Sequence, residues 1–255
     1  MKKVILFDID GTLVHTGGAG GRAMLRAFAE FFELGDRLGP MSVAGRTDYW
    51  IVAEMARRHG IDFSPGALGS FKTSYVSHLE KEMHMPGPGK GVMPGVTRLL
   101  DALEARDDVH LGLLTGNFEA GARIKLGYFD LWRYFPFGAF GDKTPDRNAL
   151  LEVALARVET GGGPSASRDD VTIVGDTPLD VEVAKAGGAR SLAVATGSYE
   201  ADPLRASGAD VVLDDLGDLI AVLDALGLNA PARDGRTEAN GARWPSRSSK
   251  SVAPR

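Results

Sequence analysis

Two carboxylates stand two residues apart in Asp8-Ile9-Asp10-Gly11-Thr12-Leu13, directly behind the apolar residues that begin at Val4. Ligand sites in open parallel sheets lie at the carboxyl ends of strands, which is where Asp8 falls. In a strand that ran on through this motif, Asp8 and Asp10 would share one face. Carboxylates so placed repel each other, and a bound cation would relieve that repulsion. Gly11-Thr12 then offers a turn whose backbone N–H groups suit an anion. An acidic surface turn that merely closes a strand is the competing description.

Three further clusters have a similar character. Thr115-Gly116-Asn117 follows Leu113-Leu114 and combines a hydroxyl, a glycine N–H and a helix N-cap, the parts of an anion-binding corner. A plain strand–turn–helix junction would read the same way. Gly175-Asp176-Thr177-Pro178-Leu179-Asp180 follows the apolar residues 171–174 and spaces two carboxylates one helical turn apart. Hard oxygen ligands of this kind suit Mg²⁺, with helix capping by Asp176 or Thr177 as the alternative. The fourth cluster, Asp142 to Asn148, contains Lys143 and Arg147, either of which could neutralise the carboxylates and a bound phosphate. A solvated, charged helix start is the plainer account of it.

The elements that must position these residues alternate in type. Apolar runs at 4–9, 109–114, 171–174, 191–195 and 210–213 read as buried strands. Helical patterns at 96–105, 118–126, 148–157, 179–186 and 216–226 lie between and after them. This order predicts an α/β fold: a Rossmann-like parallel sheet with helices on both faces. Residues 16–90 break the alternation with three amphipathic patterns, at 22–33, at 48–59 and from Ser64-Pro65 onward. Glycine-rich stretches fence them on either side, at 17–21 and 86–91. A helical insert on two flexible connectors is expected, which assigns 1–15 and 91–228 to the α/β core and 16–90 to the insert.

Composition sets the outer limits. The chain has 255 residues and no cysteine, which excludes disulfides, thiolate metal sites and a thiol nucleophile. Its 34 acidic and 29 basic residues give a formal charge of −5. Residues 229–255 hold six basic and two acidic residues, so 1–228 carry −9. The tail has little apolar content and is expected to be disordered. Nucleic acid is not expected as a partner, nor a membrane, since no apolar run reaches the length of a signal core or a spanning helix. A cytoplasmic location follows as the default, and the oligomeric state is left open.

Taken together, the ordered motifs over residues 1–228 resemble the haloacid dehalogenase superfamily, in the branch of phosphoglycolate phosphatase-like enzymes. The resemblance implies a Mg²⁺-dependent phosphoric monoester hydrolase acting on a small phosphorylated metabolite, such as phosphoglycolate or a sugar phosphate. It implies that Asp8 is the nucleophile and that Asp10 is the acid and base. Magnesium would be held by Asp8, the Asp10 backbone carbonyl, Asp176 and Asp180. Thr115, Gly116 and Asn117 would bind phosphate, together with Arg147 or Lys143. The insert would be a cap, with Arg46 of Gly45-Arg46-Thr47-Asp48 contacting the substrate. The third motif of the family usually reads Lys-Pro-x-Pro, and here Thr144 stands where the lysine belongs, so the choice between Lys143 and Arg147 stays open. The alternatives are a non-catalytic phospholigand-binding or regulatory protein on the same fold, and a phosphomutase or other phosphotransferase of the superfamily. A Gly18-x-Gly20 dinucleotide fingerprint is formally present but does not follow a strand directly.

Overall fold

A computed structural model describes residues 2–32, 42–61, 64–161 and 166–228. The expected disordered tail, 229–255, lies outside the described residues. The chain opens with β1 (Lys3–Phe7), β2 (Val14–His15), α1 (Ala19–Phe32), α2 (Asp48–Arg58), α3 (Pro65–Glu82) and β3 (Gly91–Val92). It continues with α4 (Val96–Glu104), β4 (Val109–Thr115), α5 (Glu119–Tyr128), β5 (Phe137–Phe140) and α6 (Ala149–Thr160). Then follow β6 (Val171–Gly175), α7 (Pro178–Gly187), β7 (Arg190–Val194), α8 (Ala201–Ala206), β8 (Val211–Leu213) and α9 (Leu219–Ala225).

Six strands form one sheet in the order β5-β4-β1-β6-β7-β8, and every pairing in it is parallel. In β1, Val4 and Leu6 join the apolar cluster on one face, while Ile5 and Phe7 join the cluster on the other. That double burial explains why the strand reads as an unbroken apolar run rather than an alternating one. The chain runs from β1 through β4 to the β5 edge, then returns to the other side of β1 with β6. The carboxyl ends of β1, β4 and β6 therefore meet where the strand order reverses, the usual place for a ligand crevice.

Helices α1 to α3 bury a cluster of their own that includes Phe28, Val52, Met55, Phe71, Tyr75 and Leu79, and Phe118 of the strand-end loop joins it. Phe28 and Phe71 form its aromatic centre, with ring centroids 4.8 Å apart. Local signals set the helix starts: Thr47 Oγ1 accepts from Trp50 N–H (3.1 Å), and Ser64 Oγ accepts from Ala67 N–H (3.2 Å). The chain enters and leaves this helical segment through adjacent strands, since β2 pairs antiparallel with β3, Val14 opposite Val92.

Four of these elements, β2, β3, β5 and α8, have no counterpart in the sequence expectations. The edge strand β5 is only four residues long and contains Gly138, so neither length nor alternation marks it. Helix α8 is six residues long with Pro203 inside it, and reads as a loop. The β2–β3 ribbon is too short to have a periodicity.

Candidate active site

Strand β1 stops at Phe7, yet Asp8 stays in register with the sheet, because its N–H donates to Val174 O (2.9 Å). The chain then turns sharply at Gly11, whose φ of +83° favours glycine. The N–H groups of Leu13 and Val14 both point to Ile9 O, at 2.9 and 3.1 Å. This turn corrects two expectations. The strand does not continue through Asp10, so the two carboxylates do not share a strand face. The Gly11 and Thr12 N–H groups are also taken up inside the turn, by Val14 O and Ile9 O, and are not offered to an anion.

Separated in this way, the two aspartates acquire different partners. Asp8 lies with Asp176 and Asp180, and a carboxylate oxygen from each falls within 4.8 Å of the others. All three residues are buried. Asp176 stands just beyond β6 and accepts from Thr12 Oγ1 (3.1 Å). It is fenced by backbone: a Cβ at Gly197 would lie 1.7 Å from Asp176 Oδ2, and one at Gly11 would lie 2.5 Å from it. Asp180 caps the start of α7, its Oδ2 accepting from the Thr177 N–H (3.0 Å) and hydroxyl (2.7 Å). Of the two residues weighed as helix caps, Thr177 is the N-cap of α7 while Asp176 belongs to the carboxylate cluster, and Asp180 serves both the capping box and the cluster.

One cation serves this half of the site. Arg147 Nη2 lies 3.0 Å from Asp8 Oδ2 and 2.5 Å from Asp180 Oδ1, and Nη1 donates to Gly45 O (2.6 Å). Burial alone would lower the pKa of this guanidinium, but the Asp180 and Asp8 charges outweigh burial and hold it above its ordinary value. Burial and the neighbouring Asp180 and Asp8 charges push Asp176 up to about 8. Burial raises Asp180 as well, with Arg147 opposing. Three buried carboxylates facing one guanidinium leave a surplus of negative charge, and an all-oxygen donor set of this kind fits a hard divalent cation such as Mg²⁺. The Asp10 side chain is not part of the group. Lys143 is exposed and outside it, while Arg147 is inside.

The second half is built around Asp10, whose carboxylate is 42% exposed. Its Oδ2 accepts from Asn117 Nδ2 (2.9 Å) and from Lys125 Nζ (2.5 Å). Lys125 Nζ also donates to Asn117 Oδ1 (2.6 Å). Thr115 is fully buried, and its hydroxyl accepts from the Asn117 side chain (2.8 Å) and backbone N–H (3.3 Å). Asn117 does not cap α5 as expected; Phe118 occupies the N-cap, without a side-chain bond. The Asn117 side chain is instead turned towards Asp10.

The helical segment closes over both halves. Asp48 N–H donates to Gly116 O (2.7 Å), and Asp48 Oδ2 accepts from Phe118 N–H (2.8 Å). Burial pushes Asp48 up to about 6, against the pull of Lys125 and the Phe118 N–H. Thr47 Oγ1 donates to Thr144 O (3.0 Å). Between the two parts lies a cavity of about 710 Å³, lined on one side by Asp8, Asp10, Gly116, Asn117 and Asp176. Its opposite wall is largely apolar, with Met24, Phe28, Ile51 and Met55. Arg46 also lines it, exposed, with its guanidinium 4.7 Å from the centre of the Trp50 ring.

Lys125 lies outside every sequence motif, and Asp48 falls in Gly45-Arg46-Thr47-Asp48 without a role of its own there. Lys125 leaves a faint trace, because it shares the buried face of α5 with Gly121, Ala122 and Leu126, a place for an apolar residue. Asp48 reads as an ordinary first-turn acid, and nothing local distinguishes it.

A sequence model described as haloacid dehalogenase-like hydrolase matches residues 5–194. A phosphoglycolate phosphatase of Rhodospirillum rubrum is 30% identical over 244 residues, covering 92% of this chain and 95% of that protein. Phosphoglycolate phosphatase 1 of Pseudomonas aeruginosa is 28% identical over 88% of this chain and 80% of its own length. Among solved structures, CbbY from Rhodobacter sphaeroides in complex with phosphate superimposes with a TM-score of 0.68 at 22% identity, covering 88% of this chain and all of that one. A hydrolase from Pseudomonas syringae gives 0.66 at 20% identity, over 90% of this chain and all of its own.

Proposed function

This chain belongs to the haloacid dehalogenase-like hydrolase family, and on that premise we propose that it is a Mg²⁺-dependent phosphatase of a small phosphorylated metabolite. The observation that carries the reading is the division of the two aspartates. Asp8 is buried beside Arg147 and the other two carboxylates, while Asp10 faces the cavity with different partners.

The chemistry runs in two steps. A carboxylate oxygen of Asp8 attacks phosphorus, and the bond from phosphorus to the leaving oxygen breaks as Asp10 gives that oxygen a proton. Asp10 then takes a proton from water, whose oxygen attacks the aspartyl-phosphate and releases phosphate and Asp8. Arg147 holds the phosphoryl oxygens; its Nε is buried with no acceptor among the described residues, which leaves a donor for an anion. Gly116 and Asn117 border the same cavity, with Thr115 behind Asn117. Asp8, Asp176, Asp180 and the Asp10 carbonyl would hold Mg²⁺, which supplies neutralisation of the charge that spreads over the phosphoryl group. Lys143, exposed and without a described contact to this cluster, is set aside in favour of Arg147.

We further assign 1–15 and 91–228 to a catalytic core and 16–90 to a cap. Phosphoglycolate is the first substrate to test, because relatives along most of the chain carry that name. Arg46 would meet an anionic leaving group at the cavity edge. The apolar wall of Met24, Phe28, Ile51 and Met55 favours a second choice, a larger ester with an apolar portion. Phosphate release from p-nitrophenyl phosphate with Mg²⁺ tests the class, and a panel of phosphoglycolate, sugar phosphates and nucleoside monophosphates tests the substrate. Equal rates for wild type and Asp8→Asn would refute the nucleophile.

A further inference from the structure

Lys125 is a lysine where a core residue is expected. It is 4% exposed and lies on the buried face of α5 with Gly121, Ala122 and Leu126. A buried ammonium is strongly unfavourable unless it is paired and hydrogen-bonded. Here the pairing is specific: Nζ reaches Asp10 Oδ2 at 2.5 Å and Asn117 Oδ1 at 2.6 Å. Asn117 Nδ2 closes the triangle at 2.9 Å from the same Asp10 oxygen. The first turn of α1 roofs the lysine, since a Cβ at Gly20 would lie 3.1 Å from Nζ and 3.3 Å from Cε.

We propose that Lys125 is a positioning residue for Asp10, and that the clamp it forms with Asn117 decides which carboxylate oxygen faces the substrate. Both donors land on Oδ2, and Oδ1 accepts no hydrogen bond from any described residue. With Oδ2 tethered, the carboxylate plane is fixed and Oδ1 is the oxygen turned to the cavity, free to exchange a proton with the leaving group. Arg147 is committed to Asp8 and Asp180 on the other side of the site, so the two buried cations have separate tasks. The inference rests on the phosphatase reading and adds to it a residue that none of the four motifs contains.

The leaving group supplies the test. A p-nitrophenolate departs readily without a proton, whereas the phenolate of phenyl phosphate benefits from one, and general-acid assistance is typically worth about 10²–10⁴-fold. With Lys125→Met, kcat/KM for phenyl phosphate should fall about tenfold further than for p-nitrophenyl phosphate. Asp10→Asn should show the same ordering more strongly. Equal losses on the two esters, or a loss confined to KM, would overturn the proposal. If Lys125→Met does not fold, Gly20→Ala takes its place: it displaces Nζ by a few tenths of an ångström and should give the same ordering in weaker form. Equal rates of the two esters relative to wild type in that variant would likewise overturn it. The phosphatase reading fails separately, if wild type hydrolyses neither ester or does so independently of Asp8.

Discussion

The two halves of the site are built from the same residue type and reach opposite electrostatic solutions. Around Asp8, three buried carboxylates share one guanidinium, and Asp176 is pushed up to about 8 by burial and its acidic neighbours. Around Asp10, one half-exposed carboxylate is matched by one buried ammonium and an amide. The first half carries a charge surplus that a divalent cation would relieve. The second is balanced by its own side chains, with both donors on Oδ2 and no described residue donating to Oδ1. Carboxylates two residues apart in sequence are thereby given different work, because the Gly11 turn sends them to different partners.

The sharpest way to break this comparison is to remove each carboxylate in turn. Asp8→Asn should abolish phosphate release from any ester, a loss of at least about 10³-fold. Asp10→Asn should lose about as much in steady turnover, yet still form a phosphoenzyme from p-nitrophenyl phosphate, since that leaving group needs no proton. Identical behaviour of the two variants would erase the distinction between the halves. A backbone change comes next. Gly197→Ala places a methyl group against Asp176 Oδ2 and should weaken Mg²⁺ activation about tenfold or more, read as a shift in the Mg²⁺ titration of kcat/KM. Stability of the Asp10 half should be untouched by it.

Asp48→Ala acts on the opposite half. It leaves the buried Phe118 N–H without its acceptor and should cost about 1–3 kcal/mol in chemical denaturation, with Mg²⁺ affinity unchanged. A smaller effect sharpens the charge argument through pH. The raised Asp176 binds a proton in the folded protein where the unfolded chain has released it. Its contribution to stability is therefore complete below about pH 4 and is lost as pH rises through about 8. Bound Mg²⁺ would replace that proton, so the rise in Tm on adding Mg²⁺ should be larger at pH 8.5 than at pH 5. Equal shifts would mean that the cluster holds no surplus charge. Removing residues 229–255 should change neither turnover nor Mg²⁺ dependence.

Much of this was legible in the chain itself, for identifiable reasons. Strands buried on both faces print continuous apolar runs, and β1, β4 and β6 stand out on that ground, each followed by polar residues at its carboxyl end. Gly188 stops α7 in a left-handed conformation, as the Gly187-Gly188 pair suggests. What was hidden lies in contacts between distant segments. Lys125 meets Asp10 across 115 positions, and Asp48 meets Phe118 across 70. Asp48 does not differ locally from a surface charge on a helix, and Lys125 differs only by its place on the apolar face of α5. The choice between Lys143 and Arg147 falls in the irregular segment ahead of α6, where no periodicity says which side chain turns inward; Lys143 is exposed and Arg147 reaches Asp8.

The central claim is that Asp8, and no other residue, becomes covalently phosphorylated. It is tested most directly by acid-quenching Asp10→Asn with p-nitrophenyl phosphate and Mg²⁺, then mapping the phosphoryl group by peptide mass spectrometry. The account predicts one phosphoryl group on the peptide that contains Asp8, absent when Asp8 is also changed to Asn. A wild-type enzyme that turns over while the phosphoryl group is found on another residue, or persists after Asp8→Asn, would contradict it.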